Sequence, residues 1–276
     1  MENIKERRIG FEQLGNIYAK AASVKTEQVF INGVNCYWLT PENPAANKII
    51  IYLHGGAFVA GSILSHESMV SHFAEKLQAK VLFVDYALAP EKPFPAALND
   101  TINVYTALLE NYPGYEIDAI GDSAGGGLIV SLTGELLKRH LQLPQAAVLI
   151  SPWVSLACNN PSYQENREKD PVLVAERVRN SAAAYIGDTP IETASPENVL
   201  LSAFPPVLIM VGTNEILLDD SINFYNMVKK IQPNTTLTIY ENQNHVWPLA
   251  NIDGEASKKL LNQVQTFLTG INLIIQ

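Results

Sequence analysis

Helices packed on a mostly parallel β-sheet make up the α/β fold class that this sequence predicts, and three observations predict it. Short apolar runs rich in β-branched residues alternate with longer stretches of helical periodicity through most of the chain, the pattern of strands joined by crossover helices. Most of these runs are continuously apolar, as strands buried on both faces are. The 276 residues, 47% hydrophobic and 17% charged, supply the core of one domain carrying an insertion.

The elements follow in order. QVFIN (28–32) and VNCYWLT (34–40), separated by Gly33, read as an opening antiparallel pair. Six apolar runs come next, each closed by a turn residue: KIIIYL (48–53), KVLFVDY (80–86), YEIDAIG (115–121), AAVLIS (146–151), PPVLIMVG (205–212) and TLTIYE (236–241). Amphipathic helices are expected over 65–78, 95–111, 123–140, 219–231 and 255–268. From 153 to about 204 the rhythm breaks: no strand is legible and one helical piece lies near 172–185. An insertion of that length is more often a functional cover than an idle loop.

Several function classes are excluded or disfavoured. The formal charge of −9, with basic residues scattered, repels phosphate backbones, so nucleic acid is not an expected partner. Cys36 and Cys158 are too few for a disulfide framework or a cysteine-built metal centre, and read as isolated thiols. No apolar run approaches the ~20 residues of a membrane span, and the first ten residues lead into no signal-like apolar region. A cytoplasmic location is therefore expected.

The chemistry is carried by three separated segments. AIGDSAGGGL reads as strand, sharp turn and helix, with Gly121, Ser123 and Gly125 in the pattern G-x-S-x-G. Such a turn strains the serine backbone, needs small neighbours because strand and helix nearly touch, and lifts the hydroxyl to a helix N-terminus. Upstream, KIIIYL ends in His54-Gly55-Gly56-Ala57-Phe58, with Gly61 following. Backbone amides of Gly56 and Ala57, or of Gly55 and Gly56, together with that of Ala124, are the candidate donors to a developing oxyanion. A phosphate loop would require Lys-Ser or Lys-Thr after the glycines, which is missing, and His54 reads as a structural residue of the loop.

In folds of this kind the order is serine, acid, histidine, and only His140 and His245 follow Ser123. His140 closes the helix that the serine opens, ~20 Å away at 1.5 Å per residue, which leaves His245 in the polar loop NQNHVWP. Glu215 is the first carboxylate after PPVLIMVG and the candidate acid. Asp219 is the reserve, although it and Asp220 look placed to cap the next helix. Phe11, Tyr18, Phe58, Trp153, Tyr185 and Trp247 are candidates for lining a substrate cleft. Phe58 and Trp247 flank catalytic positions. For each, core packing is the plain alternative. TLTIYE, as an exposed last strand, could pair two copies into a homodimer.

Together, YLHGGAFVAGS, DYALAPEKPFPAALND, GDSAGG, SPWVSL and FPPVLIMVG resemble the hormone-sensitive-lipase-like family of α/β-hydrolase esterases. The resemblance runs from Ile49 to His245. It implies an eight-stranded sheet and a small helical cap formed from about 1–25 and 154–204. It also implies a Ser123, Glu215, His245 triad that hydrolyses short- to medium-chain acyl esters without cofactor or metal. The sequence departs from the family pattern in four places. Ala57 replaces a glycine, Ala87 replaces the customary arginine of Tyr-Arg-Leu-Ala-Pro-Glu, Glu215 stands for aspartate, and Val246-Trp247 follow the histidine. Two rival readings use the same pocket: a receptor-like relative that binds without turnover, which the presence of His245 argues against, and an amide or peptide hydrolase.

Overall fold

The structure is a computed structural model, and it describes residues 4–275. The strands are β1 (Val24–Ile31), β2 (Val34–Pro41), β3 (Lys48–Leu53), β4 (Lys80–Val84), β5 (Glu116–Asp122), β6 (Ala147–Ile150), β7 (Val207–Gly212) and β8 (Thr235–Tyr240). They form one eight-stranded sheet in the order β1-β2-β4-β3-β5-β6-β7-β8. β1 and β2 run antiparallel to each other, β2 runs antiparallel to β4, and every later pairing is parallel. The continuous apolar runs are the buried ones: β6 and β7 have no exposed residue, and β3 shows only Lys48 at its start.

The principal helices are α1 (Ile4–Glu12), α2 (Ile63–Leu77), α3 (Ala96–Asn111) and α4 (Ala124–Lys138). After the short α5 (Ser162–Glu165), α6 (Ala175–Ile186) and α7 (Ile191–Ala194) come α8 (Leu218–Val228), α9 (Trp247–Ala250) and α10 (Glu255–Ile275). On one face of the sheet, Met69, Val70 and Phe73 of α2 share a core with Leu260, Val264 and Leu268 of α10. The other face is covered by Ile102 of α3, Leu128 and Leu132 of α4, and Phe224 and Val228 of α8. Burial at about 25 cal/mol per Å² of apolar surface makes these two layers the main stabilising term. Among the described residues no helix is long and apolar enough to cross a membrane.

Several boundaries differ from the sequence expectation, three of them instructively. α2 begins two residues early because Ser62 and Ser65 close a reciprocal capping box. α10 runs to Ile275 rather than 268. β1 starts at Val24 rather than Gln28, so the limit of 25 expected for an N-terminal cap segment falls inside a strand. The polar stretch Lys25-Thr26-Glu27 concealed it, since an edge strand tolerates exposed polar residues that periodicity reads as loop.

The insertion contains α5, α6 and α7 and no strand among its residues. α1 joins it to the sheet side of the molecule. Arg7 Nη1 donates to Ser181 Oγ of α6 at 2.8 Å. Arg8 donates from Nε to the Val59 carbonyl, from Nη2 to the Ala89 carbonyl, and from both terminal nitrogens to Glu91.

The sheet order also fixes where a site can form. From β3 the chain moves outward to β4, then returns past β3 to β5. Crevices open at the carboxyl ends of strands where such a reversal occurs. The segments following β3 and β5 are the glycine loop and the G-x-S-x-G turn.

Candidate active site

The turn from β5 into α4 is as tight as the motif demands. A Cβ on Gly121 would stand 2.7 Å from the Gly125 carbonyl carbon, and one on Gly125 only 1.9 Å from the Leu53 carbonyl oxygen. Ser123, at the N-cap of α4, adopts φ 50° and ψ −120°, a conformation that non-glycine residues hold only under constraint. The constraint is visible: Ser123 N donates to Ile150 O, while its carbonyl accepts from Gly127 N and Trp153 N.

The ends of β5, β7 and β8 then deliver three groups in line. His245 Nε2 lies 2.9 Å from Ser123 Oγ, and His245 Nδ1 lies 2.8 Å from Glu215 Oε2. All three side chains are buried. Glu215 Oε1 accepts from Gly212 N at 2.6 Å and from Ser151 Oγ at 2.7 Å. Because the carboxylate takes Nδ1–H, the ring presents a bare Nε2 to the serine hydroxyl.

Electrostatics agree with that tautomer. Burial pushes the Glu215 carboxyl above its ordinary range, opposed by His245, the Gly212 amide and Ser151. For His245, burial works against the charged form, but the Glu215 hydrogen bond and charge outweigh it and raise the imidazole overall. A buried carboxylate beside the ring thus favours the charged imidazolium over the neutral ring.

The glycine loop passes directly over the serine. A Cβ on Gly55 would fall 2.2 Å from Asp122 Oδ2 and 3.1 Å from Ser123 Cβ, so only glycine fits there. Gly56, Ala57 and Phe58 all have positive φ. The turn is closed by Val59 N and Ala60 N donating to the Gly56 carbonyl, which is bonding through its oxygen rather than its amides. Gly55 is therefore packed against Ser123, with Gly56 and Ala57 following it in the turn and Ala124 directly following the serine.

His54 is held as a structural residue. Its Nδ1–H donates to Gly55 O at 2.7 Å, its ring stacks on Tyr86 at 4.2 Å, and Tyr86 Oη donates to its carbonyl. Burial and the neighbouring His66 lower it to about 3, so it is neutral. Asp122, next to the serine, accepts from Tyr52 Oη and lies 3.5 Å from His66 Nε2. Burial pushes its carboxyl up, but His66 and Tyr52 together hold it below the usual range.

Asp219 and Asp220 do not cap α8, whose N-cap Leu217 has no side-chain bond. They turn instead to the insertion, where bent backbone leaves amides in need of acceptors. Asp219 accepts from Ser162 N. Asp220, pushed up to about 7 by burial, accepts from Val154 N, Ser155 N and Asn160 Nδ2. Neither of these carboxylates is hydrogen-bonded to His245.

The aromatic candidates divide. Phe58 stacks on Tyr185 at 3.8 Å and lies 5.7 Å from Trp153, and all three are at most 2% exposed. They form a packed wall joining the glycine loop to α6. Trp247 lies against Tyr240 and borders, with His245, Val172 and Asn251, a cavity of about 410 Å³. Phe11 sits 5.9 Å from the His66 ring. Tyr18 Oη is spent on the Pro248 carbonyl.

Sequence reasoning missed three residues that hold this site. Ser151 contacts the acid directly. Asn166 Nδ2 donates to the carbonyls of Thr213 and Glu215, and Asp170 Oδ2 accepts from Ile216 N. Ser151 carried only the weak signal of a hydroxyl ending a strand run before Pro152, which any turn residue shares. Asn166 and Asp170 had none, lying in a stretch without periodicity.

Residues 50–249 match the family described as the alpha/beta hydrolase fold. An acetyl-hydrolase from Streptomyces hygroscopicus is 32% identical over 247 residues, covering 88% of this chain and 82% of its own. An esterase structure from the bacterial hormone-sensitive lipase family is similar with TM-score 0.93 at 33% identity, over 97% of this chain and 91% of that one. The structure of EstE5 soaked with p-nitrophenyl butyrate is similar at 0.92 and 34% identity, with 98% and 92% covered.

Proposed function

Since the chain belongs to the α/β-hydrolase fold family, among its hormone-sensitive-lipase-like members, and is a carboxylic ester hydrolase, we propose that it cleaves short- to medium-chain acyl esters through Ser123, His245 and Glu215. The observation that carries this reading is the unbroken line of contacts from Glu215 Oε2 through the imidazole to Ser123 Oγ, at 2.8 and 2.9 Å.

In this mechanism Ser123 Oγ attacks the ester carbonyl carbon as its proton passes to His245 Nε2. Negative charge moves to the carbonyl oxygen, where amides of the Gly55–Ala57 turn and of Ala124 receive it. Donors of this kind are worth about 3–4 kcal/mol each in the transition state. Collapse of the tetrahedral intermediate expels the alkoxide, which takes the proton from His245 and leaves as the alcohol. Water, deprotonated by the same nitrogen, then attacks the acyl-serine and releases the acid. Glu215 keeps Nδ1 protonated and stabilises the imidazolium in both halves.

Support for a limited acyl length comes from the packed wall of Phe58, Trp153 and Tyr185, and from the acetyl-hydrolase name and butyrate ester among similar proteins. α1 and the insertion act as the cover. The test is a p-nitrophenyl acyl series assayed beside aminoacyl anilides. Turnover should be highest for acetyl to hexanoyl esters and fall at least about a thousandfold in Ser123→Ala. Preference for anilides, or binding without turnover, would overturn the reading.

A further inference from the structure

Ser151 lies at the end of β6, the strand between the nucleophile strand β5 and the acid strand β7. It is fully buried, and its backbone is held at φ 49° by Ser151 N donating to Met210 O. Its hydroxyl has one proton, donated to Glu215 Oε1 at 2.7 Å. The same oxygen accepts from Val246 N, the residue after His245, at 3.2 Å. One side chain therefore touches both the acid and the loop that bears the base, and the direction of each bond is fixed by the donors available.

We propose that Ser151 is a positioning residue for ester hydrolysis, setting the angle of the Glu215 carboxylate toward His245 Nδ1 and tying the histidine loop to that same carboxylate. The proposal rests on the triad reading above. The longer side chain at position 215 explains the need. Glu215 carries one more torsion than aspartate, and among the described residues Ser151 Oγ and Gly212 N are the donors that hold the oxygen facing away from the histidine. Other charged groups act on the pair from outside. Asp170 reaches it from the insertion, where it binds Ile216 N, and Asp122 from the nucleophile turn. Neither contacts the Glu215 carboxylate.

A residue that merely filled the interior would affect stability when replaced. A positioning residue affects kcat and the pH at which the histidine loses its proton. Without the Ser151 donor, Glu215 is a stronger acceptor, so the Glu215–His245 pair holds its protons to higher pH.

The test uses Ser151→Ala and Ser151→Gly, the glycine being relaxed at φ 49° and so protecting against a variant that fails to fold. With p-nitrophenyl butyrate as probe, kcat should fall about tenfold or more, the effect of losing one hydrogen bond to a charged group. KM should stay within about twofold, and the acid limb of kcat/KM should move upward by about one pH unit. In a Glu215→Gln background, Ser151→Ala should cost much less than in the unaltered protein, because the residue acts chiefly through that carboxylate. A wild-type kcat and pH profile in both variants would overturn the proposal, as would a loss that adds in full to that of Glu215→Gln. Absence of turnover in the unaltered protein, or its survival in Ser123→Ala, would instead overturn the esterase reading on which the proposal rests.

Discussion

At Glu215 one methylene separates this chain from the aspartate customary at that position, and the bonding around it shows how the extra length is used. Oε2 meets the imidazole while Oε1 turns back to Gly212 N and Ser151 Oγ. The charge so held raises His245 above its ordinary value of 6.5. In the proposed mechanism His245 must be neutral to accept the serine proton, so activity is present above the folded pKa and lost as pH falls through it. The acid limb of kcat/KM is expected to have its midpoint above pH 6.5, and a midpoint below that value would contradict the charge relation. The placement of Ser123 and His245 was legible in the sequence because chain order and helix length leave few candidates: His140 lies just past the end of α4, far from its N-terminus. Ser151 was not singled out, because a serine ending a strand looks like any turn residue until the strands beside it are known.

At the scale of elements, the contact between β5, α4 and β3 leaves no room for a side chain at position 125. Gly125→Ala places its Cβ 1.9 Å from the Leu53 carbonyl oxygen, so backbone must move. The expected loss is about 3 kcal/mol or more in denaturant unfolding, together with loss of activity, because Ser123 moves with the turn. α1 gives a graded case. Arg8 bonds two main-chain carbonyls as well as the exposed Glu91. Arg8→Ala should lower Tm by a few degrees, and clearly more than Glu91→Ala, since surface ion pairs contribute little. Equal effects would mean that the carbonyl contacts are immaterial. Strands and long helices were readable from periodicity to within a few residues. The start of β1 was not, nor the clamp of Asn166, Asp170, Asp219 and Asp220 between insertion and acid loop. These contacts depend on where an irregular segment returns in space, which periodicity does not encode.

Across the whole molecule, the net charge of −9 sets a long-range field that any substrate must cross. An anionic ester is repelled and a neutral one is not, so kcat/KM for a succinate monoester should rise between 0.01 and 0.2 M salt while that for an uncharged butyrate ester stays flat. A salt-independent ratio would place the negative charge away from the approach. The alternation of strands and helices revealed the fold class, but the reversal that sets β4 outside β3 was not legible, since it depends on which way each crossover turns. The order of the last four strands has a further consequence. Sheet position and chain position run together from β5 to β8, and the parts of the proposed relay emerge during synthesis in the sequence nucleophile, brace, acid, base. A nascent polypeptide that stops short of residue 245 holds a serine with nothing to deprotonate it, and is inert toward esters. The same ordering makes the protein divisible: two fragments parted near residue 202, between Ser123 and the strands bearing Glu215 and His245, would each be silent and would recover turnover only by reassembling the sheet.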